Sequence, residues 1–145
     1  MKGLTIRRFR MEDTDPVLAL WKACGIETWE RGNPRQTIQK KHSHSPEAFF
    51  LGSMGGEVVA TVITGYDGLR GWVYRLAVKP ELQRRGIGTA MMEKAEGWLR
   101  RQGCVKAKLQ LEERAADAVG FYRKLGYETQ PLVSMSKWFE PAGPA

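Results

Sequence analysis

Between Tyr74 and Met92 the chain runs from a partly alternating apolar stretch, Tyr74-Arg75-Leu76-Ala77-Val78, through Lys79-Pro80-Glu81-Leu82 into Gln83-Arg84-Arg85-Gly86-Ile87-Gly88-Thr89, and then into apolar residues at helical spacing. A strand-like run broken by proline, then two glycines just ahead of a helical pattern, predicts strand, turn, glycine loop and helix start. The first turn of a helix has backbone N–H groups without intrahelical partners and carries partial positive charge, and glycine lets an anion come close to the main chain. The junction therefore predicts an anion site held by backbone amides at the end of a strand.

Two better-known phosphate motifs are excluded by the residues. A P-loop needs Gly-Lys-Ser/Thr after a first glycine and four intervening positions, and the chain has no such run. A dinucleotide fingerprint needs a third glycine three residues after the second, where this chain has Met91. What remains is Gln/Arg-x-x-Gly-x-Gly following a strand, a pattern a helix could also show by starting near two glycines.

At 145 residues the sequence is the size of one domain, expected here over 1–140 with a frayed Pro/Gly/Ala tail at 141–145. Hydrophobic residues make up 42% and charged residues 27%, an ordinary balance for a globular protein with a continuous core. No apolar run approaches the roughly 20 residues of a membrane helix. The start, Met1-Lys2-Gly3-Leu4-Thr5-Ile6-Arg7-Arg8, lacks the apolar centre of a signal peptide, so a cytoplasmic location and no membrane partner are expected. Cys24 and Cys104 stand far apart without metal-ligand spacing and read as two buried free thiols. The net charge of +7 raises nucleic acid as a partner, but the basic residues are spread along the chain. The densest group, Lys79, Arg84 and Arg85, coincides with the glycine loop, which favours a phosphorylated small molecule instead.

Along the chain, Leu4 to Phe9 alternates as an opening strand. Asp15-Pro16 marks a helix start, with Asp15 as N-cap, and Val17, Leu20, Trp21 and Cys24 form its inward stripe up to Gly25. Ile26 to Gly32 reads as a loop with a ring and two carboxylates, and Asn33-Pro34 opens a second, polar helix through Lys41 that has too few apolar residues to join the core. The runs around Gly55-Gly56 predict a hairpin, and Trp72 to Val78 a third consecutive antiparallel strand. The helix after Gly88 is expected to reach Gln102, with Ala90, Met91, Ala95, Trp98 and Leu99 inward. Lys106 to Leu111 alternates as a strand parallel to the Trp72–Val78 run, because a helical crossover joins them. Asp117 to Leu125 reads as a short helix, and Tyr127 as the start of a final strand that Val133 to Lys137 completes.

The loop pattern resembles the acyl-CoA pyrophosphate loop of the GCN5-related N-acetyltransferases, the GNAT family. Phe121-Tyr122-Arg123-Lys124-Leu125-Gly126-Tyr127 resembles the signature of that family's last helix, and the order of elements is similar over nearly the whole chain. Gly65-Tyr66-Asp67-Gly68 with Arg70-Gly71 is similar to a subgroup of small bacterial members. The resemblance implies an α/β fold with a mixed, mostly antiparallel central sheet flanked by helices. It implies that the backbone of Leu76, Ala77 and Val78 pairs with the pantetheine arm of acetyl-CoA, with an N–H near Val78 facing the thioester oxygen. It further implies that amides from Arg84, Arg85, Gly86, Ile87, Gly88 and Thr89 hold the pyrophosphate, with Gln83, Arg84 and Arg85 at the mouth.

The implied chemistry is direct attack of a primary amine on the thioester in a ternary complex, with Tyr122 as the acid for the leaving thiolate and no metal. The partners are then acetyl-CoA and an amine acceptor, small molecule or protein, with a homodimer left open. Two positions depart from the family pattern. Gln110 stands where some members carry a glutamate base, and Ala115 where many carry an asparagine. Glu112, Glu113, Glu27, Glu30 and Asp67 are the carboxylates left as candidate bases. The departures make a non-catalytic acyl-CoA-binding or regulatory module with the same fold the alternative. His42 and His44 lack further ligands nearby and read as part of a polar loop.

Overall fold

The computed structural model describes residues 2–26 and 33–140. They form two compact units that divide after Leu109. The first unit is a five-stranded sheet in the order of its sequence: β1 (Thr5–Arg8), β2 (Phe49–Met54), β3 (Glu57–Tyr66), β4 (Gly71–Val78) and β5 (Ala107–Lys108). The first three pairings are antiparallel and the last, β4 with β5, is parallel. The helices of this unit are α1 (Thr14–Ala23), α2 (Pro34–His44) and α3 (Ile87–Arg101).

Alternation along β2 sends successive side chains to opposite faces. Phe49 and Leu51 meet Val17, Leu20 and Trp21 of α1 and Ile38 of α2 on one face. On the other, Gly52 makes room for α3: a Cβ there would stand 3.1 Å from Met91 Sδ. The Gly55-Gly56 turn has positive φ at both residues, 57° and 80°, which is why glycine fills the tight connection between β2 and β3.

Several local expectations need correction. Helix α1 starts at Thr14, with Asp13 rather than Asp15 at the N-cap position, because a 3-10 turn at Met11–Asp13 leads directly into it. Asp15 instead pairs with Arg35 of α2. Helix α2 does join the core: Ile38 is fully buried although it is the only large apolar residue of an otherwise polar helix. His42 and His44 lie in the last turn of α2, and the His42 ring meets Phe9 edge-on at 5.7 Å. On α3 the inward set is Ile87, Met91, Met92, Ala95, Trp98 and Leu99, while Ala90 is half-buried. Cys104 is a buried free thiol but Cys24 is only half-buried. The strand expected over Lys106–Leu111 forms only at Ala107–Lys108. The loop at 27–32 and the tail at 141–145 lie outside the described residues.

Asp13 is 7% exposed, and its carboxylate accepts from Arg7 Nη1 and Nη2 and from the Arg10 backbone N–H, each at 2.8 Å. The Arg7 hydrogen bonds hold its carboxyl below the usual carboxylate range. A carboxylate whose folded pKa is depressed contributes stability above its unfolded value, near 3.9, and loses it as pH falls through the folded value. Asp13→Asn is therefore expected to lower stability at pH 7 by about 1.5–3 kcal/mol. It is also expected to flatten the fall in wild-type stability below about pH 4, read by urea titrations at a series of pH values.

Candidate active site

β4 is the frame of the site. Between the pairs Thr61–Ala77 and Ile63–Tyr74 the register shifts, with one more residue on β4 than on β3. This is a β-bulge, and Arg75 sits in it with φ of 53°, a left-handed conformation uncommon for a residue with a side chain. The β4–β5 ladder contains only Gly71–Ala107 and Trp72–Lys108. Leu76, Ala77 and Val78 thus lie past the end of that ladder and, among the described residues, have a strand neighbour only in β3. An edge of this kind can accept an extended ligand as an added strand.

The direction of Val78 follows from the ladder. Lys79 N–H donates to the Val59 carbonyl at 2.8 Å, flanking the Ala60–Val78 pair. Ala60–Val78 is then a non-hydrogen-bonded pair, and the N–H and C=O of Val78 point away from β3, toward the open edge. The carbonyl takes two side-chain donors, Gln83 Nε2 at 3.1 Å and Cys24 Sγ at 3.3 Å. Gln83, expected at the loop's mouth, thus has its amide turned back onto the strand.

After β4 a 3-10 turn at Pro80–Leu82 carries the chain to Arg84, at φ 63°, and Gly86, at φ 87°, which is the N-cap of α3. A left-handed residue leading into a right-handed helical turn, as Gly86 leads into Ile87, turns successive amides into a concave, anion-binding nest. Gly86 permits this without the penalty a Cβ would bring. Ala90 N–H, bonded to the Gly86 carbonyl at 3.1 Å, begins the helical ladder. No side chain caps the helix, so Ile87, Gly88 and Thr89 present their amides without partners among the described residues. Ile87, 1% exposed, roots this first turn in the core. Arg84 and Arg85 are exposed and form no ion pair among the described residues, whereas the Lys79 ammonium is paired with Glu57 at 2.6 Å. The free positive charge at the loop is therefore that of the two arginines and the helix terminus.

The second unit holds a 3-10 segment at Glu113–Ala118 and α4 (Val119–Lys124), so the α-helix is shorter than the Asp117–Leu125 expected. Tyr122 lies mid-helix, edge-on to Tyr127 at 5.8 Å, and Tyr127 N–H closes the helix onto the Tyr122 carbonyl at 3.0 Å. The Tyr122 hydroxyl has no hydrogen-bond partner among the described residues, and burial pushes its pKa up to about 12. Gln110 donates to Ser134 Oγ at 2.9 Å. The final strand expected from Tyr127 and over Val133–Lys137 does not form: Pro131 has no N–H to donate, no strand among the described residues pairs with the segment, and Val133 and Met135 are 87% and 89% exposed.

Of the candidate bases, Asp67 accepts the Leu69 and Arg70 backbone N–H groups at 2.7 Å each in the turn between β3 and β4, and these bonds hold its carboxyl below the usual range. It is a turn-forming carboxylate and a poor proton acceptor. Glu27 and Glu30 lie outside the described residues. Trp21 and Thr61 were invisible as site residues in sequence, because apolar spacing and strand alternation assign both to the core. Trp21 Nε1 donates to Thr61 Oγ1 at 2.9 Å, and Thr61 Oγ1 donates to the Arg75 carbonyl at 2.9 Å.

The model of the acetyltransferase (GNAT) family matches residues 14–127. An acetyltransferase of Pectobacterium atrosepticum is 36% identical over 135 residues, covering 92% of this chain and 94% of the relative. Among solved structures, Thermoplasma acidophilum PaiA N-acetyltransferase in complex with coenzyme A superposes with a TM-score of 0.75 at 18% identity, over 90% of this chain and 92% of that one. Ard1 of Thermoplasma volcanium superposes with a TM-score of 0.74 at 22% identity, over 88% and 84%.

Proposed function

The chain belongs to the GNAT acetyltransferase family, and on that premise we propose that it transfers an acetyl group from acetyl-CoA to a primary amine by direct attack in a ternary complex. The observation that carries the reading is the pairing, within one continuous segment, of an open β4 edge at Leu76–Val78 with an uncapped helix terminus at Gly86–Thr89. The Leu76, Ala77 and Val78 backbone takes the pantetheine arm as an added strand. The amides of Ile87, Gly88 and Thr89, with Arg84 and Arg85 outside them, take the pyrophosphate.

The amine lone pair forms a bond to the thioester carbon as the C=O π pair moves onto oxygen. Val78 N–H stabilises that oxyanion, a contribution of about 3–4 kcal/mol in comparable sites. The oxyanion then collapses, the C–S bond breaks, and the sulfur leaves with its electron pair. Tyr122 donates a hydrogen bond to the departing sulfur and supplies its proton. The attacking nitrogen loses its proton to one of the remaining carboxylates, directly or through water, because Gln110 cannot serve as a base and Asp67 is committed to its turn. A phenol held near 12 stays protonated through neutral pH, so this donor is available wherever the amine is reactive.

The alternative, an acyl-CoA-binding module without turnover, draws on Gln110 and Ala115 standing where relatives carry functional side chains. One assay separates the two: purified protein mixed with acetyl-CoA and a panel of primary amines, with free thiol followed over time. Thiol release that depends on one amine class is the expected result. Acetyl-CoA binding with no release for any peptide N-terminus, lysine or small amine would leave only the binding module.

A further inference from the structure

We infer that Trp21 of α1 and Cys24 at its C-cap, acting with Thr61 of β3, are positioning residues that clamp the Arg75–Val78 segment of β4 and so fix where the Val78 N–H points. Trp21 and Cys24 are three residues apart, which puts them on one face of a helix end. Trp21 donates to the Thr61 hydroxyl, whose proton goes on to the Arg75 carbonyl, both at 2.9 Å. Cys24 Sγ donates directly to the Val78 carbonyl at 3.3 Å. The two carbonyls held from α1 are thus the first and last of the segment that contains the bulge and the Val78 amide.

The arrangement does more than fill space. Thr61 is fully buried and Trp21 is 3% exposed, and a valine in place of Thr61 would fill nearly the same volume without a hydroxyl to desolvate. Each polar atom in the relay is satisfied, which fixes a unique geometry. That geometry includes a left-handed Arg75, a conformation with an intrinsic cost of about 1–2 kcal/mol for a residue with a Cβ. Arg75 is held from its other end as well, its guanidinium carbon lying 5.0 Å from the Trp21 ring centroid. Burial raises the pKa of the Cys24 thiol, which keeps it protonated and able to donate.

The inference rests on the proposed acetyl-CoA reading, and its test separates the two. The probe is acetyl-CoA labelled with carbon-13 at the thioester carbonyl, its infrared stretch recorded bound to wild type, Thr61→Val, Thr61→Ser and Cys24→Ala. Coenzyme A affinity and melting temperature are measured alongside. A hydrogen bond from Val78 lowers the carbonyl frequency in wild type. Thr61→Val is expected to lose most of that shift while its coenzyme A affinity stays within about twofold, and Thr61→Ser to restore it. Cys24→Ala, at a half-buried position, reads the other end of the clamp should Thr61→Val fail to fold, and is expected to lose part of the shift. A variant that melts lower yet keeps the full carbonyl shift overturns the clamp, since packing alone would behave that way. Wild type that binds no acetyl-CoA overturns the functional reading itself.

Discussion

Tyr122→Phe is expected to lower kcat by about 10²–10⁴-fold and to leave coenzyme A affinity nearly unchanged. The substitution removes one oxygen and keeps the ring, so the edge-on contact with Tyr127 and the packing of α4 survive. What is lost is the donor to the sulfur at the moment the C–S bond breaks, an interaction made in the transition state and not in the bound ground state. The pH profile adds an independent check. Because burial holds the phenol near 12, no fall in rate from loss of this proton is expected near pH 10, where an exposed tyrosine would ionise. Equal kcat for Tyr122→Phe and wild type would remove Tyr122 from the mechanism. A matching rise in the coenzyme A dissociation constant would make it a binding residue.

The largest loss of stability is expected from Phe49→Ala. Phe49 is fully buried, stacked on Phe9 at 4.3 Å between ring centroids and parallel to Trp21 at 6.3 Å. Its removal leaves a cavity where α1, α2 and β2 converge, in surroundings already tied down by hydrogen bonds and unable to collapse fully. A phenylalanine-to-alanine change in such a site costs about 3–5 kcal/mol. For a chain of this length that corresponds to a fall in melting temperature of roughly 6–20 °C. Val133→Ala, at a position 87% exposed, is expected to change stability by no more than about 0.5 kcal/mol. Calorimetry on both variants checks the contrast. A Phe49→Ala protein that melts with wild type would mean that this cluster is not the core.

Much of the site was legible because it is built from backbone over a short span. Pro80, Gly86 and Gly88 are constraints on φ, ψ and hydrogen bonding that act within a few residues, so the strand, loop and helix start could be located from their order alone. The Gly55-Gly56 hairpin was legible for the same reason. Side-chain roles were less so. Gln83 is expected at the loop's mouth, and its side chain donates to the Val78 carbonyl. The helix from Asn33 through Lys41 has too few apolar residues to be expected in the core, yet full burial of one side chain, Ile38, is enough to seat α2. Lys79 was counted with the two arginines, but Glu57, 22 residues away in sequence, neutralises it.

By itself the sequence determined the mixed sheet, the strand–loop–helix junction and the family, all of which follow from local backbone chemistry and from patterns repeated along the chain. Only the tertiary structure decided that β4 carries a bulge at Arg75, that its ladder with β5 stops at Trp72, and that Trp21, Thr61 and Cys24 reach the carbonyls on either side. Those contacts join residues about 14 to 54 positions apart. No local propensity encodes such a distance; it is set when helix and sheet pack and each buried donor must find an acceptor.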